Sequence, residues 1–223
     1  MKNPLHYQIS EYDCGPTSML NAIIYLFDRD EIPPEVIRNT MLYCLDCYSK
    51  EGIPGKRGTS QGSQTHSANW KETSWPPWMY LFFPECLLCC SRPDSKAWYF
   101  GSPPAGSEVY IGPGSRINQA LSHGGAAVVR LFLDEPHYVL LTGVKDGSIL
   151  LFDPYYCDEP YEEKDILIDL EHPRAYNREV PFRYFNREED VLYALGKVNA
   201  REAVLVYNEK TRVPVEEVIE YFI

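Results

Sequence analysis

The sequence has no run of about 18 apolar residues, the length that a transmembrane helix requires. The N-terminal stretch MKNPLHYQISEYDC also lacks the continuous apolar core of a signal peptide. Basic residues are few, because 21 Lys and Arg stand against 32 Asp and Glu, for a formal net charge of -11. Binding to nucleic acid or to an anionic membrane needs a basic face. We therefore expect no nucleic-acid partner, no direct membrane insertion and a cytoplasmic location.

The cysteine content does not fit a disulfide scaffold, because there are seven cysteines in a chain of 223 residues. In a reducing compartment they are expected to be free thiols, metal ligands or a nucleophile. With 44% hydrophobic residues, the chain is predicted to fold as a single domain over residues 1–223. The segment at about 63–106 shows neither helical nor strand periodicity. It is either an insertion or a stretch translated from a shifted reading frame, and both explanations stay open.

The remaining sequence shows ordinary periodicity and turn signals. Helices come first and an antiparallel sheet follows, so the predicted class is α+β, with N-terminal helices packed on the sheet. The Asp-Gly pair in Lys145-Asp146-Gly147 is typical of a tight hairpin. Predicted helices are Cys14–Phe27, Pro33 to about Tyr48, Ser115–Ser122, Glu188–Leu195 and Val215–Phe222, and predicted strands are Ala126–Leu133, Tyr138–Val144, Ser148–Asp153 and Ala203–Tyr207.

Cys14 is the strongest candidate for a nucleophile. It lies at the predicted start of the first helix, where the helix dipole and free N–H groups favour a thiolate. Gly15 leaves room beside the sulfur for a substrate carbonyl. The neighbouring Asp13 would oppose the thiolate if its carboxylate pointed at the sulfur. The alternative interpretation is a cysteine that only packs the helix start.

Among the five histidines, His137 is the best candidate for an acid/base partner, because it directly precedes the apolar strand YVLLTGV. Asp153 ends the next strand, ILLFD, and is followed by Pro154. A hairpin places the end of its second strand beside the start of its first. We therefore expect Asp153 to contact His137 and to orient the imidazole.

The segment Gln8-Ile9-Ser10-Glu11-Tyr12-Asp13-Cys14-Gly15 resembles the active-site segment of bacteriocin-processing papain-like cysteine peptidases. These are double-glycine leader peptidases, and many are fused to peptide-exporting transporters. The histidine that begins an apolar strand and the Asp-Pro that ends the next strand extend the resemblance. It implies a papain-like cysteine peptidase fold, a Cys14/His137/Asp153 triad and an oxyanion hole to which Gln8 contributes.

The resemblance implies a peptide or protein substrate, cleavage in leader peptides, a peptide-exporting transporter as a partner, and no cofactor. Two features depart from the family. Pro136 stands where family members often have Gly before the histidine, and no transporter sequence follows within these 223 residues. Two other functions therefore stay open: acyl transfer from the same thioester, and non-catalytic binding of leader peptides.

Two C-x-x-C pairs, Cys44 with Cys47 and Cys86 with Cys89, offer four thiols for a structural zinc. The gap between the pairs is longer than in zinc ribbons, and the first pair lies inside a predicted helix. We therefore predict no metal. The tyrosines of the segment 154–161 are interpreted as a solvated loop near Asp153.

Overall fold

The computed structural model describes residues 4–27, 32, 34–44 and 106–207 of the chain. In this part of the chain, an N-terminal helix packs on a six-stranded antiparallel sheet, which confirms the predicted α+β class. Three short 3-10 helices accompany the regular elements within these described ranges. The helices are α1 (Cys14–Phe27), α2 (Pro34–Cys44) and α3 (Arg116–Ser122), and the strands are β1 (Ala126–Leu133), β2 (Glu135–Lys145), β3 (Ser148–Phe152), β4 (Leu167–Ile168), β5 (Arg178–Pro181) and β6 (Ala203–Val206).

The sheet has the order β4-β5-β3-β2-β1-β6, and its centre is the β2–β3 hairpin. Asp146 and Gly147 form the two-residue turn, with φ values of 48° and 81°. Positive φ at both turn positions is characteristic of the type I′ hairpin, whose twist matches that of the flanking strands. Lys145 pairs with Ser148 across this turn, as the Asp-Gly signal predicts.

The sheet separates two apolar layers. On one face, Tyr138 and Leu140 of β2 belong to a cluster that contains apolar residues of α1. On the other face, Val139 and Leu141 belong to a cluster that contains residues of α3. This alternation follows from the two-residue period of a strand, and it buries β2 on both sides.

Two side chains of α1 fix the helix along β2. The Ser18 hydroxyl donates to the carbonyl of Tyr138 at 3.0 Å, and the Tyr25 hydroxyl donates to the carbonyl of Thr142 at 3.0 Å. The two contacts are seven residues apart in α1, a rise of about 10 Å, and four residues apart in β2, a rise of about 13 Å. Because these spans are similar and the residue numbers increase together, the two elements run side by side in the same direction. The N-terminus of α1 is therefore held at the start of β2, where His137 lies.

Most sequence predictions for the described residues are confirmed, including α1, the α3 helix with Ser115 as its N-cap, and the strands β1, β2, β3 and β6. The helix predicted over Glu188–Leu195 is wrong, because the segment is irregular there. Its backbone pairs elsewhere: the N–H of Tyr193 donates to Phe132, and the N–H of Leu195 donates to Phe185, both at 2.7 Å. Tertiary hydrogen bonds thus replace the helical ones that the apolar spacing predicts.

Several predictions fall outside the described residues. These are the continuation of the second helix beyond Cys44, the side chains of the four candidate zinc ligands, residues 63–105 and the C-terminal helix Val215–Phe222. Within the part of the chain that the structure describes, no helix is long and apolar enough to cross a membrane.

Gly125 precedes β1 at a point of close backbone approach. A Cβ at this position would lie 2.9 Å from the Val206 carbonyl oxygen and 2.8 Å from the Tyr207 ring. Because the carbonyl belongs to a paired strand and cannot move aside, Gly125→Ala should lower the free energy of unfolding by about 1–3 kcal/mol. Urea denaturation of the purified variant measures this.

Gly143→Ala is the matched control in the same sheet. A Cβ there meets only the Leu150 side chain, at 3.4 Å or more. The prediction fails if both variants unfold at the same urea concentration.

Candidate active site

Cys14 is the first residue of α1 and is buried, with 7% of its surface exposed. The first N–H groups of a helix have no partner inside the helix. The Cys14 N–H therefore lies at the positive end of the helix dipole, next to its own sulfur. The position at the helix start is the one that the sequence predicts, and the burial of Cys14 in the apolar cluster on the α1 face of the sheet is what the alternative, a packing cysteine, predicts.

The loop that precedes α1 binds the carboxylate of Asp13, which is therefore not directed at the Cys14 sulfur. Its Oδ1 accepts from the N–H and the hydroxyl of Ser10, at 2.8 and 2.7 Å. Its Oδ2 accepts from the N–H of Ile9 at 3.1 Å and from the Thr17 hydroxyl at 3.3 Å. Burial acts to raise the pKa of Asp13, but the hydrogen bonds from Ser10 and Ile9 lower it below its ordinary value. Asp13 thus closes the 9–13 loop against the start of α1.

His137 and Asp153 form a buried ion pair. His137 Nε2 lies 2.8 Å from Asp153 Oδ1, and the two residues are 5% and 0% exposed. Because an ionised carboxylate can only accept hydrogen bonds, Nε2 carries the proton. The predicted contact between these residues is confirmed. With Nε2 committed to Asp153, Nδ1 is the ring nitrogen left for a third group.

Cys14 is that third group. Burial acts to lower the pKa of His137, but the charge and hydrogen bond of Asp153, followed by the hydrogen bond and charge of Cys14, raise it from 6.5 to about 10. The imidazole is therefore protonated at neutral pH. The structure brings Cys14, His137 and Asp153 together in the order that the sequence predicts.

Asp153 is ionised although it is completely buried. Burial acts to raise its pKa, but the charge and hydrogen bond of His137 lower it below the ordinary value, helped by the N–H of Tyr155 and the charge of Arg178. The Tyr155 N–H donates to Oδ1 at 2.8 Å, and the Tyr193 hydroxyl donates to Oδ2 at 2.9 Å. Four hydrogen-bonding or charged neighbours thus compensate the cost of burying this carboxylate.

The backbone of Asp153 is fixed by Asn177, which precedes β5. Asn177 Oδ1 accepts from the Asp153 N–H at 2.7 Å, and its Nδ2 donates to the Asp153 carbonyl at 2.8 Å. This two-point contact continues the β3–β5 pairing by one residue beyond the strand. It sets the direction in which the Asp153 side chain leaves the sheet.

Gln8 is brought beside the same end of the sheet. Its N–H donates to the Pro154 carbonyl at 2.8 Å, which places Gln8 next to the residue that follows Asp153. Its Nε2 donates to the Ser10 carbonyl at 2.9 Å, while its Oε1 is buried with no hydrogen-bond partner among the described residues. One of the two Nε2 hydrogens remains available for a further acceptor.

A second buried pair lies on the α1 face of the sheet, where Tyr138 belongs to the same apolar cluster as Cys14. The Tyr138 hydroxyl donates to Glu202, and both residues are less than 10% exposed. Burial and then the charge of Glu202 raise the pKa of Tyr138 well above its ordinary value, and the charge of Cys14 adds to this rise. Tyr138 is therefore a neutral, polar neighbour of the sulfur.

Five further residues of the site are not predicted from the sequence: Asn177, Arg178, Tyr193, Tyr138 and Glu202. Asn177, Arg178, Tyr193 and Glu202 lie in short strands or irregular segments, where no hydrophobic period or motif distinguishes them. Tyr138 lies in the predicted strand β2, where it fits the apolar pattern and gives no sign of a role at the site. A tyrosine and an asparagine at such positions give no signal until the fold places them against Asp153.

His123 and the tyrosines that follow Asp153 lie in settings that need no ligand to explain them. His123 caps the C-terminus of α3, with Nδ1 at 2.7 Å from the Gln119 carbonyl. Tyr155 and Tyr156 are about half exposed in the loop after Asp153, as the sequence predicts. In the described ranges, no group of three or more His, Cys, Asp or Glu side chains is placed to hold a metal ion.

Comparisons with models of known protein families, with curated proteins and with solved structures gave no match.

The ion pair makes the stability of the fold depend on pH. The pKa of His137 is raised above 6.5, so its contribution is complete below pH 6.5 and is lost as the pH rises towards about 10. The pKa of Asp153 is lowered below 3.8, so its contribution is present above that pH and is lost below it. Removing one partner of a buried pair costs about 3–5 kcal/mol. Asp153→Asn should therefore lower the free energy of unfolding most between about pH 4 and 6.5.

Urea denaturation of both proteins at intervals from pH 4.5 to 9.5 measures this difference. We expect it to shrink steadily above pH 6.5. Parallel stability curves for the parent and Asp153→Asn over the whole range would contradict an ion pair.

Proposed function

We propose that this chain is a cysteine peptidase with a papain-like fold that cleaves a peptide bond through Cys14, His137 and Asp153. The observation that carries the proposal is the connected array at one end of the sheet. A thiol at a helix N-terminus contacts a protonated, buried imidazole, which is bound in turn by a buried carboxylate. The α+β architecture, with α1 against an antiparallel sheet, is compatible with this fold.

In the proposed reaction Cys14 reacts as the thiolate, with its proton on His137. The Cys14 sulfur attacks the substrate carbonyl carbon, and the carbonyl oxygen becomes an oxyanion. His137 gives its proton to the leaving amine as the C–N bond breaks, which leaves a thioester on Cys14. Water then attacks the thioester, His137 takes a proton from that water, and the S–C bond breaks to release the acid.

Two donors are available for the oxyanion. The Cys14 N–H lies at the start of α1, and Gln8 Nε2 retains a second hydrogen beside its bond to Ser10. Removing one such donor in other hydrolases costs about 3–4 kcal/mol of transition-state stabilisation. The leader-peptide substrate and the exporter partner rest on the sequence resemblance alone.

Acyl transfer and non-catalytic peptide binding are the competing functions. Transfer uses the same thioester, with an amine in place of water as acceptor. A binding module has no need of a protonated histidine beside a thiol at a helix N-terminus, and that pairing favours catalysis. Product analysis with and without an added amine separates hydrolysis from transfer.

The first prediction concerns the thiol. Cys157 is more exposed than Cys14 and contacts the Glu159 carbonyl, so exposure alone predicts that Cys157 is alkylated first. Because a protonated imidazole beside a thiol generally makes that thiol more reactive, we expect iodoacetamide to modify Cys14 first at pH 7. Peptide mapping by mass spectrometry at short reaction times measures the order.

The control is the same mapping on His137→Ala, in which Cys157 should react before Cys14. In a screen of fluorogenic peptides ending in Gly-Gly or Gly-Ala, Cys14→Ala should abolish cleavage, while Cys157→Ala should retain it. Cleavage by Cys14→Ala at the parent rate would remove Cys14 from the reaction.

The second prediction concerns Gln8. If its amide stabilises the oxyanion, Gln8→Ala should lower kcat by about 10²-fold or more and barely change KM. Gln8→Glu should be at least as harmful, since a carboxylate offers no donor and repels the oxyanion. Iodoacetamide modification of Cys14 should keep its parent rate in Gln8→Ala, because alkylation forms no oxyanion. An unchanged kcat in Gln8→Ala would exclude Gln8 from the site.

A further inference from the structure

Tyr193 occupies a backbone conformation that tyrosine rarely adopts. Its φ is 56°, in the left-handed region, and its side chain is completely buried. A bulky residue pays a steric penalty for positive φ, so such residues persist only where their surroundings hold them. Here the Tyr193 N–H is bound by the Phe132 carbonyl at 2.7 Å, and its hydroxyl reaches Asp153 Oδ2 at 2.9 Å.

The hydroxyl belongs to a chain of three hydrogen bonds that starts at Arg178. Arg178 Nε donates to the Tyr161 hydroxyl at 3.3 Å, and the Tyr161 and Tyr193 hydroxyls lie 3.0 Å apart. An ionised Asp153 only accepts, so the Tyr193 proton points to the carboxylate. The Tyr193 oxygen must then accept from Tyr161, whose own oxygen accepts from Arg178. Every donor in the chain therefore points towards Asp153, and each bond polarises the next.

The Tyr193 hydroxyl binds a different oxygen of Asp153 from the one that the other donors bind. His137 Nε2 and the Tyr155 N–H both bind Oδ1, whereas the Tyr193 hydroxyl binds Oδ2. Burial, followed by the charge of Asp153, raises the pKa of Tyr193 well above its ordinary value, so the phenol remains a donor at any physiological pH. Without this hydroxyl, no described residue donates a hydrogen bond to Oδ2, and the carboxylate loses the contact that fixes its rotation.

We propose that Tyr193 is a positioning residue of the Cys14–His137–Asp153 site, which holds Asp153 ionised and turned towards His137. Its importance for turnover rests on the proposed peptidase function, but its action on His137 does not. The groups that face Asp153 are His137 from β2, Arg178 from β5, and the phenols of Tyr193 and Tyr161. Cys14 reaches the pair from α1 through His137.

The test is Tyr193→Phe, which keeps the ring and removes only the hydroxyl. The titration of His137 is followed by NMR of isotope-labelled imidazoles, with His137→Gln to assign the resonance. We expect the His137 pKa to fall by about one pH unit or more, a tenfold change in its protonation equilibrium. A fall of this size from about 10 leaves the imidazole protonated at pH 7, so the effect is read from pH profiles. The alkaline limit of Cys14 modification by iodoacetamide, and that of kcat wherever cleavage is measurable, should move to lower pH with little change in KM.

Tyr184→Phe is the matched control. Tyr184 is also buried against the same apolar cluster, and its hydroxyl donates to a different carboxylate, Asp165, at 2.6 Å. Its loss should lower stability without moving the His137 titration. If Tyr193→Phe behaves like Tyr184→Phe, with lower stability and an unchanged His137 titration, the role of Tyr193 is only structural and the proposal is wrong.

Tyr161→Phe is the second variant, and it tests the chain of hydrogen bonds even if Tyr193→Phe does not fold. It removes the donor to Tyr193 and leaves the bond to Asp153, so the His137 titration should shift by a smaller amount than in Tyr193→Phe. An unchanged titration in this variant would overturn the polarised chain. A shifted titration in a protein that cleaves no peptide would support the role of Tyr193 and refute the proposed peptidase function, so the two failures are distinguishable.

Discussion

The buried ion pair between His137 and Asp153 is the constraint on which the candidate site depends. Taking two charges out of water costs several kcal/mol for each ion. Their attraction offsets this cost only when the remaining donors and acceptors of both groups also form hydrogen bonds. The end of the sheet meets this condition with the Tyr155 N–H, the Tyr193 hydroxyl and the backbone clamp of Asn177. The strand β5 and the turn around Tyr193 therefore matter chemically as well as structurally, since they supply the partners that keep Asp153 ionised.

The thiol reaches this pair because the helix that carries it is fixed along β2. The hydroxyls of Ser18 and Tyr25 bind carbonyls of Tyr138 and Thr142, and these contacts set where the helix N-terminus lies. A shift of α1 by one turn, about 5 Å, would carry Cys14 out of reach of His137. The same helix start is closed by Asp13, whose carboxylate binds the preceding loop. Asp13, which would oppose a thiolate if its carboxylate pointed at the sulfur, thus fixes the segment that carries Gln8.

The sequence predicts those parts of the site that depend on residues close together along the chain. The Asp146-Gly147 turn and the apolar alternation beside it are local, and together they are enough to predict that Asp153 lies against His137. Tyr193 has no such local signal, and the apolar spacing around it predicts a helix that does not form. Its backbone groups bind Phe132 instead of helical neighbours, which is a long-range pairing that sequence periodicity cannot reveal.

The position of Arg178 explains why the chain of phenols matters. A guanidinium in direct contact with a carboxylate commonly binds both oxygens at once. Such a pair would occupy Asp153 Oδ1, to which His137 is bound, and would leave the imidazole without its orienting partner. Arg178 instead binds the carbonyls of Asn177 and Cys157 and reaches Asp153 only through Tyr161 and Tyr193. Its charge therefore lowers the pKa of Asp153 while Oδ1 stays available to the histidine.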